Sequence, residues 1–339
     1  MLIVLKKTAT EADAELVKKK IADTGLKPLY LPGEEKVVLG AIGDERKIAK
    51  LELQSLDFVE RVVPVLKPYK LCNREFKSEK AIVKVRDVEI GGNEVTQIAG
   101  PCSVESEEQI VSTAHAVKKA GAKILRGGAY KPRTSPYAFQ GLEEEGLKLL
   151  ELAREETGLP IVTEIVSEYH IDVVGKSADM FQIGARNAQN FRLLKAVGGT
   201  KTPVLLKRGP ASSMSEFLMA AEYIISEGNP NVVLCERGIK SFFTETRNTF
   251  DLSVIPLLQK ETFLPVIGDP SHGTGVRDLV SPMGCAAIAA GADGIIVEVH
   301  PEPEKALSDG FQQLTPPQYE KMTKKMAAIA EAVGRTSAC

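Results

Sequence analysis

A chain of 339 residues has room for one large domain and a small one. Its 43 Lys and Arg against 45 Asp and Glu leave a formal net charge of −2, without the global basic field of a nucleic-acid binder. No apolar run approaches the ~20 residues of a membrane span, and five scattered cysteines, an odd number, point to a reducing cytoplasm rather than a disulfide framework.

The order of Met1–Leu5 and then Lys6-Lys7 is wrong for a signal peptide and reads as an opening strand. Leu2–Leu5 is that strand. Glu11–Thr24 is helical, with Thr8 or Thr10 as cap and Gly25 as stop. Strands Pro28–Leu31 and Lys36–Leu39 flank the turn Pro32-Gly33-Glu34-Glu35. Asp44–Leu51 begins a second helix, and Phe58–Val65 is the last strand. This βαββαβ order predicts a ferredoxin-like domain over residues 1–67 with no His or Cys, hence little chemistry of its own. Residues 68–80 read as a charged linker. Residues 81–339 form the second domain, opening on a hairpin of Ala81–Val88 and Glu94–Ile98 turned at Gly91-Gly92-Asn93.

From Gln97 short apolar runs alternate with helical stretches. The runs are Gln97–Ala99, Ala122–Leu125, Pro160–Glu164, Asp179–Ile183, Pro203–Leu206, Asn231–Cys235, Leu264–Ile267 and Gly294–Val297. The stretches between them include Glu105–Ala120, Leu142–Thr157, Gln189–Val197, Ser212–Ser226 and Val276–Ala290. Eight such βα units predict an α/β fold of the (β/α)8 TIM-barrel type. A doubly wound sheet is the alternative, weakened because no Gly-x-Gly-x-x-Gly follows the first run.

A barrel of this kind works at the C-terminal ends of its strands. There the sequence places Gly100-Pro101-Cys102-Ser103, Arg126-Gly127-Gly128 with Lys131-Pro132-Arg133-Thr134-Ser135, Glu164, Gly184-Ala185-Arg186-Asn187, Lys207-Arg208-Gly209, Glu236-Arg237-Gly238, Asp269-Pro270-Ser271-His272, and Glu298 with His300. Arg126, Lys131, Arg186, Lys207 and Arg237 would meet at one mouth, which requires a ligand with several negative charges. Cys102, His272 and Glu298, with Asp309 as a fourth, combine soft, borderline and hard ligands. That set suits Mn2+, Fe2+, Co2+ or Zn2+. His115 and His170 fall in helical stretches and read as surface or packing residues.

These motifs, across essentially the whole chain, resemble the type I β form of 3-deoxy-D-arabino-heptulosonate 7-phosphate (DAHP) synthase, a shikimate-pathway enzyme with an N-terminal ferredoxin-like regulatory domain. The resemblance implies that Cys102, His272, Glu298 and Asp309 bind the metal. It implies that Arg126, Lys131, Arg186, Lys207 and Arg237, with the backbone of Ala185, hold phosphoenolpyruvate, and that Glu164 is a further substrate-binding residue. Arg133, Thr134 and Ser135 would take the phosphate of erythrose 4-phosphate. Lys131, Cys102 and His272 would be the catalytic residues, with Lys131 in a position to act as general acid. It further implies a cytoplasmic homotetramer in aromatic amino-acid biosynthesis, inhibited by tyrosine or phenylalanine, with no nucleic-acid or membrane partner. The nearest rival, 3-deoxy-octulosonate 8-phosphate synthase, acts on arabinose 5-phosphate. It resembles Lys-Ala-Asn-Arg-Ser where this chain has Lys131-Pro132-Arg133-Thr134-Ser135, and it normally lacks the N-terminal domain. More distant alternatives are a Schiff-base aldolase using Lys131 or Lys207, and a non-enzymatic amino-acid sensor.

Overall fold

The structure is a computed structural model that describes residues 1–32, 37–43, 48, 51–63, 68–133 and 135–338. The chain divides into two compact units, Met1–Glu79 and Lys80–Cys339.

The first unit is one antiparallel sheet. Its strands are β1 (Leu2–Leu5), β2 (Lys27–Pro32), β3 (Val37–Ile42) and β4 (Val59–Val63), in the order β2-β3-β1-β4. That is the ferredoxin-like order, with the first strand central. The helix Glu11–Asp23 starts on a capping box in which Thr10 and Asp13 exchange hydrogen bonds, and it stops at Gly25 with φ 78°. Its Ala14, Val17 and Ile21 pack with Ile3, Leu5 and Leu39 in one apolar core. Leu2 and Val4 point to the other face and are buried as well. The expected helix over Asp44–Leu51 lies outside the described residues except at Ile48 and Leu51, and so does most of the turn at Pro32-Gly33-Glu34-Glu35. The segment read as a linker is packed: Tyr69, Leu71, Cys72 and Phe76 are buried, and Leu71 and Phe76 lie over Gly40 of β3.

The second unit is a closed barrel of eight parallel strands: β7 (Thr96–Gly100), β8 (Ile124–Arg126), β9 (Ile161–Glu164), β10 (Met180–Ile183), β11 (Val204–Lys207), β12 (Val232–Glu236), β13 (Val266–Gly268) and β14 (Gly294–Glu298). Closure runs through β14 and β7, which pair from Gly294↔Thr96 to Glu298↔Gly100. Every residue of these strands is buried, which is why each reads as an apolar run.

The entrance hairpin differs from the sequence reading. It consists of β5 (Val83–Val85) and β6 (Val88–Ile90), turned at Arg86-Asp87 with Arg86 at φ 53°. The run after Gly91-Gly92-Asn93 is the first barrel strand, because it pairs on both sides in parallel. Val83, Val85 and Ile90 share one core with Ile98, Ile124, Val162, Met180, Leu205, Val233, Ile267 and Ile296, so the hairpin packs into the barrel interior. Ile90→Ala should therefore lower the unfolding free energy of the barrel by about 2–5 kcal/mol in denaturant titration. A loss below about 0.5 kcal/mol, the level of an ordinary surface change, would show that the hairpin is not part of that core.

Candidate active site

The C-terminal strand ends build the site. Arg126, Glu164, Lys207, Glu236 and Glu298 are the last residues of β8, β9, β11, β12 and β14. Cys102 follows β7 by two residues, and His272 lies in the short helix Pro270–Thr274 directly after β13. Since β13, β14 and β7 are neighbours, His272, Glu298 and Cys102 come together.

At the floor is a chain of buried charges. Arg126 Nη2 lies 3.1 Å from Glu298 Oε1, which lies 3.4 Å from His272 Nε2. His272 Nδ1 is 2.8 Å from Asp269 Oδ2, and Lys207 Nζ donates to the same oxygen at 2.5 Å. Burial pushes the Glu298 carboxyl up, but His272, Arg126 and Lys131 outweigh it and hold it down to about 2. Asp269 is likewise held well below the ordinary carboxylate range: burial is overcome by His272 and Lys207. Burial lowers the His272 pKa despite Asp269 and Glu298, which favours neutral imidazole. With its proton on Nδ1 toward Asp269, that ring turns the Nε2 lone pair toward Glu298 Oε1, a buried oxygen that accepts no hydrogen bond. Two facing lone pairs at that distance are offset by the Arg126 guanidinium beside Oε1, and a cation bound by both groups would satisfy them further.

Cys102, Glu298 and Asp309 each offer one ligand atom, and these atoms lie within 4.8 Å of one another. His272 joins this set through Glu298. The Cys102 sulfur is buried, and its pKa is pushed up to about 12 by burial and by Glu298, with Lys131 opposing. A divalent cation would supply the positive charge that a buried thiolate needs. The donor set fits such an ion.

Above this floor opens a cleft of about 440 Å3. Among the described residues, Lys131, Arg133, Arg186, Arg237, Lys240 and Arg247 line it, against two carboxylates, Glu164 and Asp309. Ser135 and Ala185 line it too, whereas Thr134 lies outside the described residues. The predicted convergence of five cations is thus divided. Lys131, Arg186 and Arg237 face the cleft, while Arg126 and Lys207 sit beneath, paired with Glu298 and Asp269. Arg126 Nη1 remains buried without a hydrogen-bond partner. Arg237 is 7% exposed, and burial pulls its pKa down. Such a guanidinium is stabilised by an anion.

Lys131 Nζ donates to the Cys102 carbonyl at 2.9 Å and to its sulfur at 3.2 Å. A Cβ on Gly128 would stand 2.7 Å from the Lys131 chain and 2.8 Å from that carbonyl, so only glycine lets the lysine reach the sulfur. At Gly184 a Cβ would lie 2.0 Å from Glu164 Oε1, so glycine there keeps the Glu164 carboxylate in place. As read from sequence, His115 is outside the site, against Glu156, and His170 stacks on Tyr130.

Sequence reasoning missed Asp269 as the orienter of His272, and also Arg247, Lys240, Ser308, Gln312 and Gln313. The first left a trace: Asp269 before Pro270 is a helix-cap pattern, and its Oδ1 accepts from His272 N at 3.0 Å. Gln312 donates to Glu298 Oε2 at 2.5 Å and Gln313 accepts from Cys102 N at 3.0 Å, contacts made from the segment after β14 that have no local signature.

The depressed acids predict acid sensitivity. Glu298 has a folded pKa near 2 against an ordinary 4.5, so the unfolded chain binds more protons between these values. Its contribution is complete above pH 4.5 and is lost as pH falls toward 2. Unfolding free energy should drop across this window, and Glu298→Gln should flatten the drop. An unchanged slope in the variant would contradict the assignment.

The model of the DAHP synthetase I family matches residues 74–335, and that of the DAHP synthase ferredoxin-like domain matches residues 1–67. The chain is 52% identical over 334 residues to a phospho-2-dehydro-3-deoxyheptonate aldolase of Thermotoga maritima, covering 98% of this chain and 99% of the relative. It is 33% identical over 266 residues to a 2-dehydro-3-deoxyphosphooctonate aldolase of Syntrophotalea carbinolica, covering 73% of this chain and 95% of that one. The crystal structure of a Thermotoga maritima DAHP synthase superposes with a TM-score of 0.79 at 51% identity, covering 99% of this chain and 98% of that one. A truncated form of the Thermotoga maritima enzyme gives 0.74 at 49% identity, covering 79% of this chain and 99% of that one. By sequence along its whole length, and by a barrel preceded by a ferredoxin-like sheet, the chain is an enzyme that belongs to the DAHP synthetase I family.

Proposed function

We propose that this enzyme condenses phosphoenolpyruvate with D-erythrose 4-phosphate and water, giving 3-deoxy-D-arabino-heptulosonate 7-phosphate and phosphate. The observation that carries this reading is the juxtaposition of a cation-lined cleft with the set of buried Cys102 and Glu298 and half-buried Asp309 and His272. These four residues would hold a divalent ion, Mn2+, Fe2+, Co2+ or Zn2+, which when bound supplies Lewis-acid polarisation of the aldehyde.

The chain's own groups would do the rest. Arg126 Nη1, Arg186, Lys207 and Arg237, with Glu164 and the backbone of Ala185, seat phosphoenolpyruvate at the inner end. Arg133, Thr134 and Ser135 take the sugar phosphate. Carbon 3 of phosphoenolpyruvate attacks the aldehyde carbon, water adds at carbon 2, and phosphate leaves with carbon–oxygen cleavage. Burial lowers the Lys131 pKa, but Cys102, Glu164 and Glu298 outweigh it and raise it above the ordinary lysine value. Lys131 thus stays protonated and can deliver a proton to the developing alkoxide. The same protonation argues against Lys131 as an amine nucleophile, and Lys207 is locked on Asp269.

Chelation should abolish phosphate release, and Mn2+ should restore it. Erythrose 4-phosphate should be preferred over arabinose 5-phosphate, because Pro132 and Arg133 fix the phosphate seat at a set distance from the aldehyde. Arg133→Ala should raise KM for the sugar about 10- to 100-fold, the loss of a charge-assisted hydrogen bond, whereas Arg186→Ala should act on KM for phosphoenolpyruvate. Full activity in excess chelator, or equal kcat/KM for the two sugars, would overturn this reading.

The first unit carries no His within the ferredoxin-like match and supplies none of the residues named above. We read it as a sensor for tyrosine or phenylalanine in a cytoplasmic homotetramer. Deleting residues 1–67 should leave an active enzyme that ignores both amino acids; inhibition as strong as in the full chain would place the sensor elsewhere.

A further inference from the structure

Ser308 belongs to none of the groups assigned so far, yet it is 2% exposed and touches two of them. Arg133 Nη1 donates to Ser308 Oγ at 2.9 Å, and Ser308 Oγ lies 3.0 Å from Cys102 Sγ. Guanidinium can only donate, so the serine oxygen accepts from Arg133. A sulfur acting as metal ligand carries no proton, so the remaining hydrogen of this contact is the Ser308 hydroxyl's, and it points at sulfur. With Cys102 holding a metal as thiolate, the polarity along the row is Arg133 to Ser308 to Cys102. Gln313 holds the row in register, since its Nε2 donates to the Ser308 carbonyl at 2.8 Å while its Oε1 accepts from Cys102 N at 3.0 Å.

We infer that Ser308 is a positioning residue that relays the state of Arg133, at the sugar-phosphate seat, to the Cys102 thiolate. This rests on the reading of Cys102 as a metal ligand and Arg133 as a phosphate contact. The cation polarises the hydroxyl, which donates more strongly to sulfur and draws charge from it. A phosphate that engages Arg133 weakens that polarisation. The sulfur then becomes a stronger donor when the acceptor arrives, so the two sites are linked reciprocally.

The test uses the full chain loaded with Co2+, whose thiolate charge-transfer band moves to lower energy as the sulfur loses hydrogen bonds. Ser308→Ala and Arg133→Ala should each shift the band to lower energy. The double variant should show no more than the shift of Ser308→Ala alone, because the relay is in series. Erythrose 4-phosphate should shift the band of the unsubstituted protein and leave that of Ser308→Ala in place. If Ser308→Ala fails to fold by circular dichroism, Arg133→Ala decides: a band at the unsubstituted position overturns the relay. Additive shifts in the double variant, or a sugar-phosphate response that survives Ser308→Ala, overturn it equally. Absence of any thiolate band in the unsubstituted protein overturns the metal reading and this inference with it. A band that is present but unmoved in both single variants overturns this inference alone.

Discussion

Everything at the barrel mouth depends on the row that runs from Arg126 through Glu298, the His272 imidazole and Asp269 to Lys207. Burying an unpaired carboxylate costs several kcal/mol even after relaxation, and here two are buried completely. Each survives because a cation lies on one side and the imidazole on the other. The arrangement spends its hydrogen-bonding capacity unevenly. Asp269 Oδ2 receives two partners, whereas Glu298 Oε1 accepts no hydrogen bond. The incomplete member of the row is thus the one that faces Cys102 and Asp309.

This row explains the division of the cations. Arg126 and Lys207 are needed below to keep the carboxylates ionised, so they cannot also be open to solvent at the rim. The rim is supplied from the loops instead, by Lys131, Arg133, Arg186, Arg237, Lys240 and Arg247. A phosphorylated substrate therefore meets a surface on which, among the described residues, six cations outnumber two carboxylates, above a floor whose charges are paired.

The barrel strands were legible because a parallel strand buried on both faces needs apolar residues at every position, as in the Val232-Val233-Leu234-Cys235 run of β12. Strand-end chemistry followed, since position relative to such a run is a local property. The hairpin was misplaced because alternation in Val83-Lys84-Val85 and Val88-Glu89-Ile90 is too short to outweigh the Gly91-Gly92 turn signal. Ser308, Gln312 and Gln313 were illegible for another reason. Ser308 and Gln313 meet Cys102 and Arg133, far away in sequence, Gln312 meets Glu298 and Arg247, and a polar residue in a loop has no periodicity to betray it. The packed segment around Leu71 and Phe76 looked like a linker because its apolar residues are separated by charges that stay in solvent.

The two sheets differ in whether they end. A closed barrel has no first or last strand, so its backbone offers no row of unpaired amides. The four-stranded sheet does end, at β2 and β4. In β2, Pro28 and Pro32 stand four residues apart, so the donors they remove would have pointed to the same side of the strand. A central strand could not lose both, but a border strand can lose them on its outward side. That border is consequently a poor template for another β-strand, which guards the small sheet against open-ended strand addition where the barrel needs no such protection.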